Sequence, residues 1–133
     1  MPLEVHEDTD LYTIEYDPEL DAIIHTWNEF AEGERFRSGA NDLLAFIRQR
    51  DTSNLIVDTS GIRAHNEADK EWLETEWVPQ IIDAGIRHAA TVHKDSVISE
   101  MEMEEFVREL DELPYTAMMT ADMSEAREWI AEQ

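Results

Sequence analysis

The chain contains no cysteine among its 133 residues, which excludes disulfide staples, thiolate metal sites and a cysteine nucleophile, and permits a reducing compartment. Lysine is nearly absent, with only Lys70 and Lys94. No apolar run approaches the roughly 18 residues of a membrane-spanning helix. The start, Met1-Pro2-Leu3-Glu4-Val5-His6-Glu7-Asp8, is acidic where a secretory signal is basic. Together these absences lead us to expect a soluble, cytoplasmic protein. Neither Gly-x-Gly-x-x-Gly nor Gly-x-x-x-x-Gly-Lys occurs, so nucleotide cofactors lack support, and no other cofactor is expected. No internal repeat or low-complexity linker interrupts the chain.

What dominates instead is acid. Lys+Arg total 10 against Asp+Glu 32, a formal net charge of −22, with a sequence pI ≈ 4.2. A globule of this mass exposes roughly 7,000 Å², so its net charges lie on the order of 18 Å apart. Because the Debye length falls from about 30 Å at 0.01 M salt to about 3 Å at 1 M, self-repulsion is strong in dilute buffer and negligible in brine. The low pI and the preference for arginine over lysine resemble the composition of proteins from salt-accumulating haloarchaea. The expected result is a melting temperature that rises with KCl from dilute buffer to molar concentration; a flat or falling profile rejects it. A surface this negative repels phosphate backbones and anionic headgroups, which argues against nucleic acid and membrane surfaces as partners. At 42% hydrophobic residues the chain is too apolar for the disordered class and should fold.

Residues 1–10 are acidic and aperiodic and read as a flexible arm; residues 11–133 suit one domain. Leu11–Tyr16 alternates as a strand, Asp17-Pro18-Glu19 supplies turn chemistry, and Leu20–Trp27 reads as the return strand of a hairpin. Phe36, Ala40, Leu43, Leu44 and Ile47 fall at helical spacing between Gly33 and Arg50. Leu55-Ile56-Val57 suits a strand covered on both sides. A long helix is expected from an Asn66 cap to Ala84-Gly85, its inward stripe Leu73, Trp77 and Ile81, with Pro79 imposing a kink or a division into two pieces. Trp72 and Trp77, five apart, do not share one narrow stripe, so one of them is expected to be partly exposed. His88–His93 is a strand, Ser99–Glu102 a capping box opening a helix to about Glu112, Tyr115–Thr120 the last strand, and Ser124 the cap of a final helix. The order β-β-α-β-α-β-α-β-α predicts an α/β domain with about five strands in a mostly parallel mixed sheet and four helices.

Asp58-Thr59-Ser60-Gly61, with a strand before and a helix after, looks like the STAS domain. Trp72, Pro79, Ala84-Gly85-Ile86-Arg87, the strand from His88 to Val92 and Ser124-Glu125-Ala126-Arg127-Glu128-Trp129-Ile130 then resemble, in order and spacing, the SpoIIAA-like (STAS/SEC14) family over about residues 11–132. That resemblance implies a fold and almost no biochemistry. In the phospho-switched relatives a serine opening this helix is phosphorylated; here the stretch falls on Asn66-Glu67-Ala68-Asp69, which offers no hydroxyl, and Glu67 supplies one fixed charge instead.

Ligands of open α/β sheets bind at the carboxyl ends of strands, which singles out Asp58, Thr59, Ser60, His65, His93, Lys94 and Thr120. An acid, a hydroxyl and a histidine invite a hydrolase reading, but no Gly-x-Ser-x-Gly elbow exists. Asp58, His65 and His93 lack the tight spacing that identifies a zinc site, so no metal is assigned. Thr59 and Ser60 read as turn hydroxyls bonding nearby backbone. Methionines 101, 103, 118, 119 and 123 read as core filler, although the SEC14 likeness leaves room for a small apolar ligand. The leading expectation is a non-enzymatic interaction module that binds a protein partner, or a second copy as a homodimer, through Asp58–Trp77, with Glu67, Trp72 and Trp77 on its docking face. The alternatives are a carrier of a small apolar ligand and, behind it, a hydrolase or metal enzyme.

Overall fold

The computed structural model describes residues 4–50, 52–59, 67–92 and 116–133. The chain is α/β: six strands form one mixed sheet in the order β1-β2-β3-β4-β5-β6. They are β1 (Glu4–Asp8), β2 (Tyr12–Asp17), β3 (Ala22–Trp27), β4 (Asn54–Asp58), β5 (His88–Val92) and β6 (Thr116–Thr120). The first three pair antiparallel and β3 through β6 run parallel. The helical segments are α1 (Glu34–Arg50), α2 (Glu67–Trp72), α3 (Val78–Asp83) and α4 (Met123–Ala131), with a π turn, Leu73–Trp77, joining α2 to α3. The helix expected over Ser99–Glu112 falls outside the described residues.

The sheet has six strands where the sequence reading counts five. The additional one, β1, lies within the stretch read as an arm. Every residue in it is exposed, so it carries no one-sided apolar pattern to read. Backbone pairing to β2 holds it, with a bulge between Val5 and Glu7, as does the His6 ring stacked on Phe46 at 4.0 Å and the Glu4 carboxylate 2.6 Å from Arg50. Acidic side chains and a bulge are common devices for keeping an edge strand from pairing further.

The hairpin follows the local chemistry. Asp17 Oδ1 accepts from the backbone N–H groups of Glu19 (2.9 Å) and Leu20 (3.4 Å), and Asp21 takes the left-handed conformation at φ 51. Alternation along the strands splits the core into two layers. Ile23, Trp27 and Leu55 face Phe36, Leu43 and Ile47 of α1 and Trp77, Val78 and Ile81 of the second helical run. Ala22, Ile24, Ile56, Ala90 and Val92 face Ala126 and Ile130 of α4. The neighbours Leu55 and Ile56, 1% and 0% exposed, point into opposite layers, as a strand covered on both sides requires.

Pro79 explains the π turn. It lacks the N–H that an α-helix would direct at the carbonyl of Thr75. The helix widens just before it, and the N–H of Val78 donates to the carbonyl of Leu73, an i→i−5 bond that absorbs one extra residue. In this wider turn residues five apart approach one face, so Trp72 and Trp77 both reach the same core layer. Trp77 is buried and Trp72 half-buried. Gly85, at φ 117, ends the run. The N–H of Ile86 donates to the carbonyl of Ile81 and that of Gly85 to Ile82, both at 3.0 Å, the double bond of a Schellman cap. The last helix is capped by Asp122, whose carboxylate accepts from the Ser124 N–H, so Ser124 is inside the helix and is not its cap.

Gly39 marks the closest approach of α1 to the sheet. A Cβ there would lie 2.7 Å from Cη2 of Trp27 and 3.2 Å from Cε1 of Tyr12. Replacing a helical glycine by alanine ordinarily gains up to about 1 kcal/mol. Here the clash with two ring edges should reverse the sign, and Gly39→Ala should lose roughly 1–2 kcal/mol in urea titration. A gain would show that the Trp27 ring retreats freely.

Candidate functional site

The second helical run lies alongside α1 and in step with it. Asp69 Oδ2 accepts from the N–H of Gly33 at 3.1 Å, and Asp69 Oδ1 lies 3.5 Å from Arg37 Nε. Trp72 meets the Phe36 ring edge-on at 6.2 Å and carries the Arg37 guanidinium over its face at 5.5 Å. The indole N–H of Trp77 donates to the carbonyl of Ala40 at 2.8 Å. These contacts close the lower part of the seam between the two helices. Above it lies an open groove of about 560 Å³, walled by Asn41, Leu44, Ala45 and Arg48 of α1 and by Trp72, Glu76 and Gln80 opposite. Most of this lining is polar, with Leu44 and Trp72 as its large apolar elements.

The charge around the groove departs from that of the chain. α1 holds four of the ten cationic residues, Arg35, Arg37, Arg48 and Arg50, against only Glu34 and Asp42 of the 32 acids. Arg50 is committed to Glu4 and stacks on Tyr16 at 4.0 Å, while Arg37 is committed to Asp69 and Trp72. Asp42 accepts the hydroxyl of Tyr12. Burial, then that hydrogen bond and the neighbouring carboxylate charge, push the Tyr12 phenol well above its usual value. The outer stripe of α1, Glu34, Ser38, Asn41, Ala45 and Arg48, is exposed and carries one carboxylate, that of Glu34 in the first turn. Arginine and tryptophan are enriched, and acidic residues depleted, in protein interfaces.

The carboxyl ends of the strands are built differently from expectation. Thr59 is 5% exposed, and both its N–H and its hydroxyl donate to the carbonyl of Val92 at 2.7 Å. That hydroxyl therefore ties β4 to β5, a bond to a neighbouring strand that local turn chemistry does not foresee. Asp58 is half-buried at the end of β4. Thr120 accepts from the N–H of Asp122 and donates to Glu125. The parallel strands β3 to β6 follow one another in sequential order, so no reversal of strand order opens a crevice between them, the usual ligand position in such sheets. Ser60, His65, His93 and Lys94 lie outside the described residues, as does the side chain of Glu67. Among the described residues, no group of three or more His, Asp or Glu is arranged to hold a metal ion. Of the sequence-derived candidates among the described residues, Trp72 lines the groove, and the buried Trp77 is bonded to the Ala40 carbonyl beside it.

Two buried ionisable groups are set by their surroundings. Burial pushes the Asp17 carboxyl up, but the hydrogen bond from Arg127 (2.6 Å), the two turn N–H groups and the guanidinium charge outweigh it and hold the group below the ordinary carboxylate value. His25, 1% exposed, packs between Tyr12 (5.4 Å, edge-on) and Trp27 (4.8 Å). Its Nε2 has no hydrogen-bond partner among the described residues, and burial pulls its pKa down to about 3.

The groove residues Asn41, Ala45, Arg48, Glu76 and Gln80 escape motif reading because none belongs to a chemical signature. The one sequence signal for them is the clustering of arginine in α1. No protein-family model matches the chain, and no curated protein matches it. No helix among the described residues is long and apolar enough to cross a membrane.

Proposed function

We propose that the protein is a non-enzymatic interaction module of the SpoIIAA-like kind, working in the cytoplasm without a cofactor and without the phospho-serine switch of the antagonists it resembles. Its docking face is the outer surface of α1 and of the run from α2 to α3. The observation that carries this reading is the acid-poor stripe of Ser38, Asn41, Ala45 and Arg48 beside the half-buried Trp72, in a chain of net charge −22. A surface poor in carboxylates beside a half-buried tryptophan has a composition that suits an interface. The start of α2 supports the absence of a switch: Asp69 is buried, accepts a hydrogen bond from Gly33 and is ion-paired with Arg37, so this turn is committed to α1.

The carrier reading fits less well, since Asn41, Arg48, Glu76 and Gln80 give the groove polar walls where an apolar ligand needs hydrocarbon. A photo-cross-linking residue in place of Ala45, exposed and in the middle of the face, separates the two. The expected result is a discrete adduct to protein, formed in the protein's own cell extract and lost on Arg48→Glu. No protein adduct, together with an apolar molecule retained in native mass spectrometry, would overturn the module in favour of the carrier.

A further inference from the structure

We infer that the groove takes an extended segment of a partner protein, laid along the seam with an apolar side chain on Trp72 and Leu44 and an acidic side chain at Arg48. The inference rests on the reading of this face as a docking surface and adds the conformation and chemistry of what docks there.

The walls decide the conformation. Both are helical, and the backbone N–H and C=O groups inside a helix are spent within it, so hydrogen bonds to an occupant must come from side chains. Of the lining, Asn41, Arg48, Glu76 and Gln80 are polar. A docked helix has its own backbone satisfied and asks its groove for hydrocarbon. An extended segment instead brings unpaired N–H and C=O groups, which are costly to cover unless they find partners, and polar walls meet that need. Asn41 is exposed, and its side chain has no hydrogen-bond partner among the described residues. A carboxamide offers both a donor and an acceptor, the complement of a peptide unit. Gln80 is already oriented: its Nε2 donates to the carbonyl of Glu76 at 2.7 Å, which leaves Oε1 to accept from an N–H in the groove. Glu76 itself belongs to the π turn Leu73–Trp77, a feature that recurs at functional sites.

The charges and the floor decide the side chains. The groove holds one charge of each sign, Arg48 and Glu76. Arg48 is exposed and has no ion-pair partner among the described residues; a guanidinium in this state suits a carboxylate, which it grips through two N–H groups. Glu76 is an acceptor for a backbone N–H. Leu44 is buried, and Trp72 is steadied by Phe36 at 6.2 Å and by Arg37 at 5.5 Å, so an apolar side chain meets a floor that is already ordered. The wall from Asn41 to Arg48 rises about 10 Å at about 1.5 Å per residue, a distance that an extended chain covers in about three residues. The groove volume of about 560 Å³ suits a segment of that size.

The test pans random octapeptides displayed on phage against the full chain, then synthesises the enriched sequences with acetylated and amidated ends. These should share an apolar residue close to an Asp or Glu. Binding, read by fluorescence anisotropy of the labelled peptide, should fall at least about tenfold, roughly 1.4 kcal/mol, on N-methylation of a backbone amide within the shared motif, and likewise on Asn41→Leu or Gln80→Leu. Arg48→Glu should abolish binding of the acidic peptide and accept the same peptide with its acid replaced by Lys, an exchange that simple damage to the fold does not produce. Circular dichroism checks each variant; if Gln80→Leu is unfolded, the exposed Asn41→Leu decides. Peptides that tolerate N-methylation and bind more tightly when stiffened into a helix with α-aminoisobutyrate would overturn the extended segment in favour of a docked helix. No enriched peptide sensitive to Arg48→Glu, while position 45 still cross-links to a protein, would overturn the short segment and leave the docking face standing. Absence of both peptide binding and protein adduct would remove both.

Discussion

Between pH 6.5 and pH 3, His25 alone should cost the protein about 1.4 kcal/mol of stability per pH unit, roughly 4 kcal/mol over the window. The imidazole has a pKa near 6.5 when the chain is unfolded and about 3 in the fold, so in this window the unfolded state binds a proton that the folded state refuses. Stability is complete above pH 6.5 and falls as the pH drops towards 3. Burial is the cause: the ring lies between Tyr12 and Trp27 under α1, and its Nε2 has no partner among the described residues to share a positive charge. Asp17 adds a loss at lower pH, because its depressed carboxyl is protonated only below the ordinary value of 3.8. Protonation of the many surface carboxylates acts in the opposite direction by relieving repulsion, but it is common to wild type and variant. The measurement is therefore the difference between wild type and His25→Leu in urea titrations at pH 7, 6, 5 and 4. That difference should shift steadily in favour of the leucine variant as the pH falls. Parallel profiles would mean that the imidazole reaches water or a partner.

Trp77→Ala should cost about 3–5 kcal/mol, the range for removing a fully packed large aromatic. Trp77 is 7% exposed and is the residue by which the π turn is fixed to α1, through packing and through its bond to the Ala40 carbonyl. Trp77→Phe keeps most of the packing and removes the donor, so it should cost about 1 kcal/mol for the hydrogen bond plus a smaller loss of area. A loss below about 1 kcal/mol for the alanine variant would place Trp77 outside the core. Because Trp77 packs beneath the groove wall, the alanine variant should also weaken docking at Ala45.

Much of the fold is legible from local pattern. The spacing of Phe36, Ala40, Leu43, Leu44 and Ile47 places α1 between Gly33 and Arg50, and its basic last turn suits the helix dipole. The run Leu55-Ile56-Val57 identifies a central strand, Asp17-Pro18-Glu19 a turn, and Ala84-Gly85 a helix end. Each rests on interactions within a few residues. The candidate site is less legible. Strand ends direct attention to Asp58 and Thr59, yet Thr59 is spent joining β4 to β5, a use that depends on which strand lies next to which. The expectation that one of Trp72 and Trp77 is partly exposed agrees with the half-buried Trp72, but their shared layer depends on a π turn that a uniform 3.6-residue period does not contain.

The sequence by itself determined the alternation of strands and helices, the exclusion of thiol chemistry and the overwhelming acidity, because composition and short-range periodicity are properties of neighbouring residues. Only the tertiary structure decided that Glu4–Asp8 pairs as a strand, that His25 is sealed between aromatic rings, and that the Trp77 indole donates to the Ala40 carbonyl. Those facts depend on residues far apart in the chain. An exposed edge strand is specified by backbone pairing, which leaves no hydrophobic signature, and a buried histidine is spelled the same way as a solvated one until its neighbours are known.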